Sequence, residues 1–349
     1  MVAASASDGR GAVERQRSSR HLGLDLGGTN LKWTALEHDD GVWRVLGRGR
    51  TKTRVNDGPA GIVEQLGSTG RTAMETWPGI TTAGVGIPGL YDPRTGATRF
   101  LVNIPGPWDG YPVAPPVADA LGVPVALIND ARAFGLAELR LGAGRGASSM
   151  VGLTLGTGVG GVLAVDGKVH QGHDGTAGEI GHQTIDPDGP DCNCGNHGCL
   201  EAFARADRLA EACAAPTAEE AVERARNGDA VALEGLRRVG RYLGIGIGNM
   251  IAVISPDRVV IGGGVAAAGN LLLDEARAEI RRRVLTTSVD EVEIVTAELG
   301  TWAGAIGAAV HGAEQARAGA SILPGAGVAR RAATPAAAPR ATRAAARAR

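Results

Sequence analysis

In the segment spanning residues 178–201, GEIGHQTIDPDGPDCNCGNHGCLE, three of the chain's four cysteines fall within eight residues. Cys192, Cys194 and Cys199, with His182 ten residues before the first of them, supply three thiolates and one imidazole. That donor set matches a closed tetrahedral zinc site of the Cys3His kind, with no coordination position left for a reacting water. The C-x-C-x4-C spacing is tighter than that of a common zinc finger, and Gly195 and Gly198 let the chain curl around one ion. A chance cluster of reduced thiols is the competing reading. Glu179 and Glu201 bracket the cluster. Ionised carboxylates only accept hydrogen bonds, so the pair suits the hydroxyl groups of a ligand. Cys213, alone in a helical stretch, reads as a small buried residue.

Three glycine turns follow strand-like segments. DLGGTN contains Asp25, Gly27, Gly28, Thr29 and Asn30; LGTGVGG contains Gly156, Thr157 and Gly158; IGGGVAAAG contains Gly262, Gly263 and Gly264. Backbone N–H groups in such turns can face an anion, and the third turn reads as leading into a helix N-terminus that favours phosphate. Any one of them could be a glycine-rich hairpin. Three strand-ending turns together point to a nucleotide clamp. None has the Walker spacing, and none sits in the βαβ context of a dinucleotide fingerprint. The tetrapeptide LIND ends a further strand with Asn129 and Asp130. Asp130 either caps the next helix or acts as a rigidly held general base for a hydroxyl nucleophile.

Around these residues the chain reads as mixed α/β. Leu22, Leu24 and Leu26 alternate with Gly23, Asp25 and Gly27 as in a strand, LKWTALE returns, and VWRVLGRGRTKT gives a third strand. A helix is expected over 62–76, then a strand at TAGVGIPG, the strand VPVALIND and the helical ARAFGLAELRLG. SMVGLTLGTGVGGVLAVDGKV reads as strand, turn, strand. Residues 200–254 are expected to be helical, DRVVIGGGVAAAG to be strand, turn and helix, and EIVTAEL and AGAIGAAVHGAEQAR to be the last strand and helix. That order predicts two α/β lobes, and well-separated phosphate-type turns would suit a duplicated fold.

Length and composition bound the function. A chain of 349 residues can bury two cores, and 44% apolar with 21% charged residues describes a soluble globular protein. A net charge of -1 and 3% aromatics give no reason to expect a nucleic-acid or membrane partner. The first twenty residues have no apolar core of a signal peptide, and no apolar run approaches a membrane span, so the cytoplasm is the expected compartment. Thiols stay reduced there, which favours metal ligation over disulfides. Both ends, residues 1–20 and 319–349, are expected to be disordered tails. The C-terminal one holds six arginines and no acid in its last 23 residues. It could touch nucleic acid, and a solvated tail is the simpler reading.

Taken together, DLGGTN, GVGIPG, NIPGPW, IND, LTLGTGVGG, GTAGEIGH, CNCGNHGCLE and PDRVVIGGG resemble the ROK group of bacterial sugar kinases and related repressors, from about His21 to Ala318. The pairing of GEIGH with CNCGNHGCLE is highly specific. The resemblance implies an actin-like (ribonuclease H-like) fold with ATP and sugar in a cleft between two lobes. The small lobe would be residues 21–128 with the helix 302–318 packing back on it. The large lobe would be 129–301, with the zinc loop 182–199 inserted. It further implies that Asp130 takes the proton from the sugar's hydroxymethyl oxygen, and that Gly89, Asn103 and Asn129 help hold the sugar. Glu179, His182 and Glu201 would grip other hydroxyls. Asp25 to Asn30 and Gly156 to Gly158 would approach the phosphates, and Gly262 to Gly264 the adenosine side. The metal loop would aim the two glutamates, and His182 would use one ring nitrogen for zinc and the other for a hydroxyl.

The implied reaction is ATP- and Mg2+-dependent phosphorylation of a hexose, first of all glucose to glucose 6-phosphate, by a homo-oligomer, a dimer in relatives. N-acetylmannosamine, fructose or another hexose as acceptor and polyphosphate as donor stay open. A sugar-sensing repressor is the reading from another class, and it would need a helix-turn-helix unit that the twenty residues before GLDLGG are too few to form. A zinc-stabilised binding protein without turnover is a third, against which the IND carboxylate argues. One departure is marked. The family often has a second Asn two residues beyond the catalytic Asp, and here that position is Arg132, read as a solvated helix residue or else a phosphate contact.

Overall fold

The computed structural model describes residues 18–326, and the two expected tails lie largely outside them. The first half runs β1 (Ser19–Leu26), β2 (Asn30–Asp39), β3 (Val42–Lys52), α1 (Gly58–Thr76), β4 (Ile80–Ile87), β5 (Gly89–Asp92), β6 (Ala97–Leu101), α2 (Ala114–Leu121), β7 (Val125–Asn129) and α3 (Asp130–Leu141). The second runs β8 (Met150–Leu155), β9 (Val159–Val165), β10 (Lys168–Val169), α4 (Glu201–Ala204), α5 (Ala206–Ala212), α6 (Ala218–Arg226), α7 (Ala230–Ile254), β11 (Arg258–Gly262), α8 (Asn270–Arg283), β12 (Glu293–Thr296) and α9 (Ala303–Arg317).

Two five-stranded sheets share one topology. The first has the order β3-β2-β1-β4-β7 and the second β10-β9-β8-β11-β12. In each, an antiparallel meander of three strands is extended by two parallel strands beside its first member. That duplication is the actin-like two-lobed architecture. Leu22, Leu24, Ile62, Leu66 and Val117 form a core between the first sheet and α1 and α2. On the far side of the second sheet, Leu153, Leu236, Leu243, Ile261 and Leu272 pack with α5 to α8. Between the sheets lie α3 and α9, whose Phe134 and Ile306 meet Leu36 and Ile128 of one sheet and Val162 and Val260 of the other.

The Leu/Gly alternation of β1 has a packing cause. Its leucines face α1 and α2, while Gly23 faces α9 so closely that a Cβ there would lie 1.8 Å from the Ala305 carbonyl oxygen. Gly84 of β4 stands in the same relation to Ala308. The small residues of AGAIGAAVHGA let α9 approach the sheet at backbone distance.

Some elements differ from the sequence expectation. The helix α1 starts four residues earlier, at Gly58, with Pro59 in its first turn, where a missing N–H costs nothing. The helical run 200–254 is four helices; Arg205 in an extended conformation separates the first two, and Thr217 and Asp229 cap the N-termini of α6 and α7 with their side chains. A 3-10 turn, Val265–Ala268, stands between the third glycine turn and α8, so that turn does not lead directly into a helix. The tail expectations also begin and end differently within the described residues. Strand β1 already starts at Ser19, and Ile322 exchanges two backbone hydrogen bonds with Val125, 2.8 and 2.9 Å, extending the first sheet's edge.

Candidate active site

A cleft of about 560 Å³ opens where the ends of the two sheets face each other. Gly27 and Gly28, Gly89, Asn103, Asn129, Asp130, Gly156 to Gly158, Glu179, His182 and Glu201 all line it. That volume suits a small ligand enclosed with its reacting partner. Residues from both halves of the chain meet there: Gly27, Gly28, Asn129, Asp130 and Gly156 to Gly158 stand at strand ends or in the turns after them, while Glu179, His182 and Glu201 come from the long segment between β10 and α4.

Asn129 and Asp130 close β7 and open α3. Asn129 is the helix cap: its Oδ1 accepts from the N–H groups of Ala131 (3.0 Å) and Arg132 (3.2 Å). Its Nδ2 donates to the Gly89 carbonyl at 3.2 Å, which ties β7 to the first residue of β5. Asp130 is therefore released from the capping role that the sequence left open to it. One of its oxygens accepts from the Ala131 N–H at 2.8 Å, and the carboxylate lines the cleft. Burial, and then the nearby negative charge of Asp25, push its pKa up to about 6. A carboxylate so placed is ionised at neutral pH yet basic enough to take a proton from a hydroxyl. Asn103 adopts the left-handed backbone region, φ 61°, in the loop beside the first glycine turn.

Asp25 is almost enclosed at the end of β1, where Lys32 of β2 pairs with it at 3.4 Å. Burial raises its pKa, against the pull of Lys32. Asp25, Thr29 and Asn30 do not line the cleft, whereas Gly27 and Gly28 between them do. Gly262, Gly263 and Gly264 also lie outside the cleft. The parallel register sets Gly262 beside Thr154, so their turn runs alongside the one at Gly156 to Gly158.

The cysteine segment folds back on itself through bridges between Thr184 and Cys199 and between Asp191 and His197. Gly198 makes this possible: its φ is 63°, and a Cβ there would collide with the Asp186 carbonyl. One ligand atom from each of His182, Cys192, Cys194 and Cys199 lies within 4.8 Å of all the others. Cys192 Sγ is 3.7 Å from His182 Nδ1, and Cys194 Sγ is 3.7 Å from Cys199 Sγ. A tetrahedral ion with Zn–S bonds of about 2.3 Å requires sulfurs about 3.8 Å apart, so the donors fit zinc. Burial and the neighbouring thiols push the Cys192 thiol up to about 12, and three thiolates become tenable only around a cation. Nδ1 is the ring nitrogen that faces the cluster, and the same imidazole lines the cleft.

Both glutamates that bracket the cluster reach the cleft, by different means. Glu201 Oε2 accepts from the Val159 N–H at 2.9 Å, and its Oε1 lies 3.8 Å from Cys192 Sγ. Glu201 thus joins the metal loop to the end of the second glycine turn. Glu179 is held by Arg132, Nη2 to Oε1 at 3.0 Å. Arg132 is 1% exposed, which corrects its reading as a solvated helix residue. Its partner is a carboxylate where the alternative reading expected a phosphate. Cleft residues that the sequence did not single out include Leu90, Phe100, Val102, Thr154 and Thr176. Thr154 had a visible signal, as the one polar side chain of an apolar strand that ends in a glycine turn. Phe100 and Val102, exposed apolar residues at the cleft mouth, had none.

The family model "ROK family" matches residues 21–314. The glucokinase of Thermotoga maritima is 34% identical over 309 residues, covering 82% of this chain and 95% of its own length. A ROK hexokinase from Thermus thermophilus is 34% identical with a TM-score of 0.74, covering 86% of this chain and 99% of that one. A ROK family glucokinase from Streptomyces griseus, solved in complex with glucose and AMPPNP, is 30% identical with a TM-score of 0.70, covering 85% and 100%. The similarity also reaches a putative xylose repressor of Caldicellulosiruptor, 30% identical over 80% of this chain and 74% of that protein. No described helix is long and apolar enough to cross a membrane.

Proposed function

The chain belongs to the ROK family, and we propose that it is a sugar kinase that transfers the terminal phosphate of MgATP to the hydroxymethyl oxygen of a hexose. Glucose is the preferred acceptor and glucose 6-phosphate the product. The observation that carries this reading is Asp130, a carboxylate on the cleft wall with its pKa pushed up to about 6. It stands between a group of hydroxyl acceptors and two glycine turns. Relatives bearing the glucokinase name, one of them complexed with glucose and AMPPNP, support the choice of substrates.

In this reading Asp130 accepts the proton of the attacking hydroxyl, and Asn129, locked by its cap bonds and by Gly89, fixes the hexose beside it. Glu179, His182 and Glu201 accept from or donate to the other hydroxyls, with His182 using Nε2. Gly27, Gly28 and Gly156 to Gly158 admit the donor phosphates close to the backbone. Asp25, Thr29 and Asn30 shape the first of those turns, and Gly262 to Gly264 border the adenosine. Phosphoryl transfer asks the protein mainly for positioning and charge neutralisation. Among the described residues, the cleft lining holds three carboxylates and no lysine or arginine. A triphosphate donor there requires a divalent cation, which Asp130 would face, and Mg2+ would supply that neutralising charge. Zinc at His182, Cys192, Cys194 and Cys199 would be structural, aiming Glu179 and Glu201.

We place the division between lobes at residues 128 and 129 and the enzyme in the cytoplasm, as a homodimer. The same site could take N-acetylmannosamine or another hexose, or polyphosphate as donor. A panel of hexoses assayed for phosphorylation with ATP and with polyphosphate ranks these. Turnover on glucose with MgATP is expected. Retention of promoter DNA in a gel shift, with no turnover on any sugar, would instead favour a sugar-sensing repressor like the xylose repressors among the relatives.

A further inference from the structure

Among the described residues Arg132 is the guanidinium that acts on the candidate base, and its side chain holds two partners. Its Nε donates to the Ala177 carbonyl at 3.0 Å and its Nη2 to Glu179 Oε1 at 3.0 Å. The pair is asymmetric: the Arg132 side chain is 1% exposed, whereas that of Glu179 is 46% exposed on the cleft side. Nη1 is buried with no partner among the described residues. Burying a guanidinium with an unmet N–H is costly, and here the gain is a rigid link between the first turn of α3 and the loop before His182. Only one Glu179 oxygen is engaged by it, so the other stays available. The backbone N–H of Arg132 also bonds Asn129 Oδ1 at 3.2 Å. One residue thereby braces both walls of the acceptor end of the cleft.

We propose that Arg132 is a positioning residue for the sugar acceptor, holding the Glu179 carboxylate at the hydroxyl it binds and standing as the balancing positive charge between Glu179 and Asp130. This proposal rests on the sugar-kinase reading above. The groups that act on Asp130 are Asp25 from β1, Glu179 from the loop, Arg132 from its own helix and the Ala131 N–H. The two carboxylates raise its pKa, and Arg132 is the cation among these groups that lowers it. Arg132 also acts on Tyr91 of β5, whose hydroxyl burial pushes up to about 12 and which stays neutral through the working range.

The test is steady-state kinetics of Arg132→Gln and Arg132→Lys with the full-length protein, glucose and MgATP, as a function of pH. Arg132→Gln is expected to raise the sugar KM about tenfold or more, the loss typical of a charge-assisted hydrogen bond, with the ATP KM within about twofold. It also moves the acid limb of kcat/KM above its wild-type position, because Glu179 then faces Asp130 unbalanced. Adding Glu179→Gln to Arg132→Gln brings the limb back. Arg132→Lys keeps the charge and loses the fork, so the limb stays while the sugar KM rises. A purely structural role would not produce this split. If Arg132→Gln fails to fold, judged by lost nucleotide affinity, Arg132→Lys carries the test alone. An unchanged sugar KM in Arg132→Lys, or an unmoved acid limb in a folded Arg132→Gln, overturns the proposal. Wild-type protein that phosphorylates no sugar overturns the kinase reading instead.

Discussion

Replacing Asp130 by Asn should make the protein less active and more stable, with both effects traceable to one carboxylate. The amide keeps the size of the Asp130 side chain and an acceptor oxygen for the Ala131 N–H, and loses the capacity to take a proton. Loss of a general base typically costs about 10²–10⁴-fold in rate. The stability effect follows from the pKa, pushed from the ordinary 3.8 up to about 6 by burial and then by Asp25. A raised acid binds more protons folded than unfolded between those two values, so stability falls as pH rises through that window and the full cost is present above it. The difference amounts to about 3 kcal/mol at pH 8. Asp130→Asn should therefore raise the denaturation midpoint at pH 8 and leave it nearly unchanged at pH 4. The assay is urea unfolding of both proteins at the two pH values, beside coupled turnover on glucose. A variant that is destabilised at pH 8, or that turns over within tenfold of wild type, would refute the reasoning.

Three other outcomes are expected. The kcat/KM for sugar should fall as pH drops through about 6, with protonation of Asp130, while substrate-independent nucleotide binding keeps no such limb. Cys194→Ser should lose zinc by elemental analysis and weaken sugar affinity by calorimetry, since Glu179 and Glu201 lose their scaffold and ordering the loop costs roughly 1–2 kcal/mol per residue; affinity for an ATP analogue should stay. Full activity in zinc-free wild-type protein would contradict that. Gly23→Ala places a Cβ 1.8 Å from the Ala305 carbonyl oxygen. With backbone on both sides it should destabilise by about 3 kcal/mol or more in urea unfolding, with a soluble, fully stable variant the contrary result.

The parts of the site written in local sequence are legible in the sequence alone. Cysteine spacing, a glycine turn after a strand and a carboxylate at a strand end each carry their chemistry within a few residues; Asp130, His182 and two of the three glycine turns line the cleft, while the cysteines and Gly262 to Gly264 do not. Residues whose meaning depends on a distant partner are not legible in that way. Arg132 looks like any charged position on a helix until the loop carrying Glu179 covers it, 47 residues away in sequence. Gly23 looks like part of a phosphate turn's strand, and its cause is α9, which lies near the other end of the chain. The breaks inside residues 200–254 are hidden for a different reason. Pro216 before the Thr217 cap and Asn227 with Gly228 before the Asp229 cap mark two of the breaks in local sequence, and the Ala-rich runs on either side drown that signal when the stretch is read as one helical run. The Ile322 pairing with Val125 takes a short apolar segment out of an Ala-rich tail by completing a sheet edge, an interaction no local pattern announces.

The central claim is that phosphate passes from MgATP to a hexose hydroxyl with Asp130 as the base. Phosphorus NMR of wild-type protein with glucose, ATP and Mg2+, run beside Asp130→Asn and beside a sample lacking Mg2+, tests it in one experiment. Appearance of ADP together with a single sugar phosphomonoester on the hydroxymethyl oxygen, present only in the complete wild-type sample, is the predicted result. Release of inorganic phosphate without a sugar ester, or an equal rate of ester formation in Asp130→Asn, would contradict it.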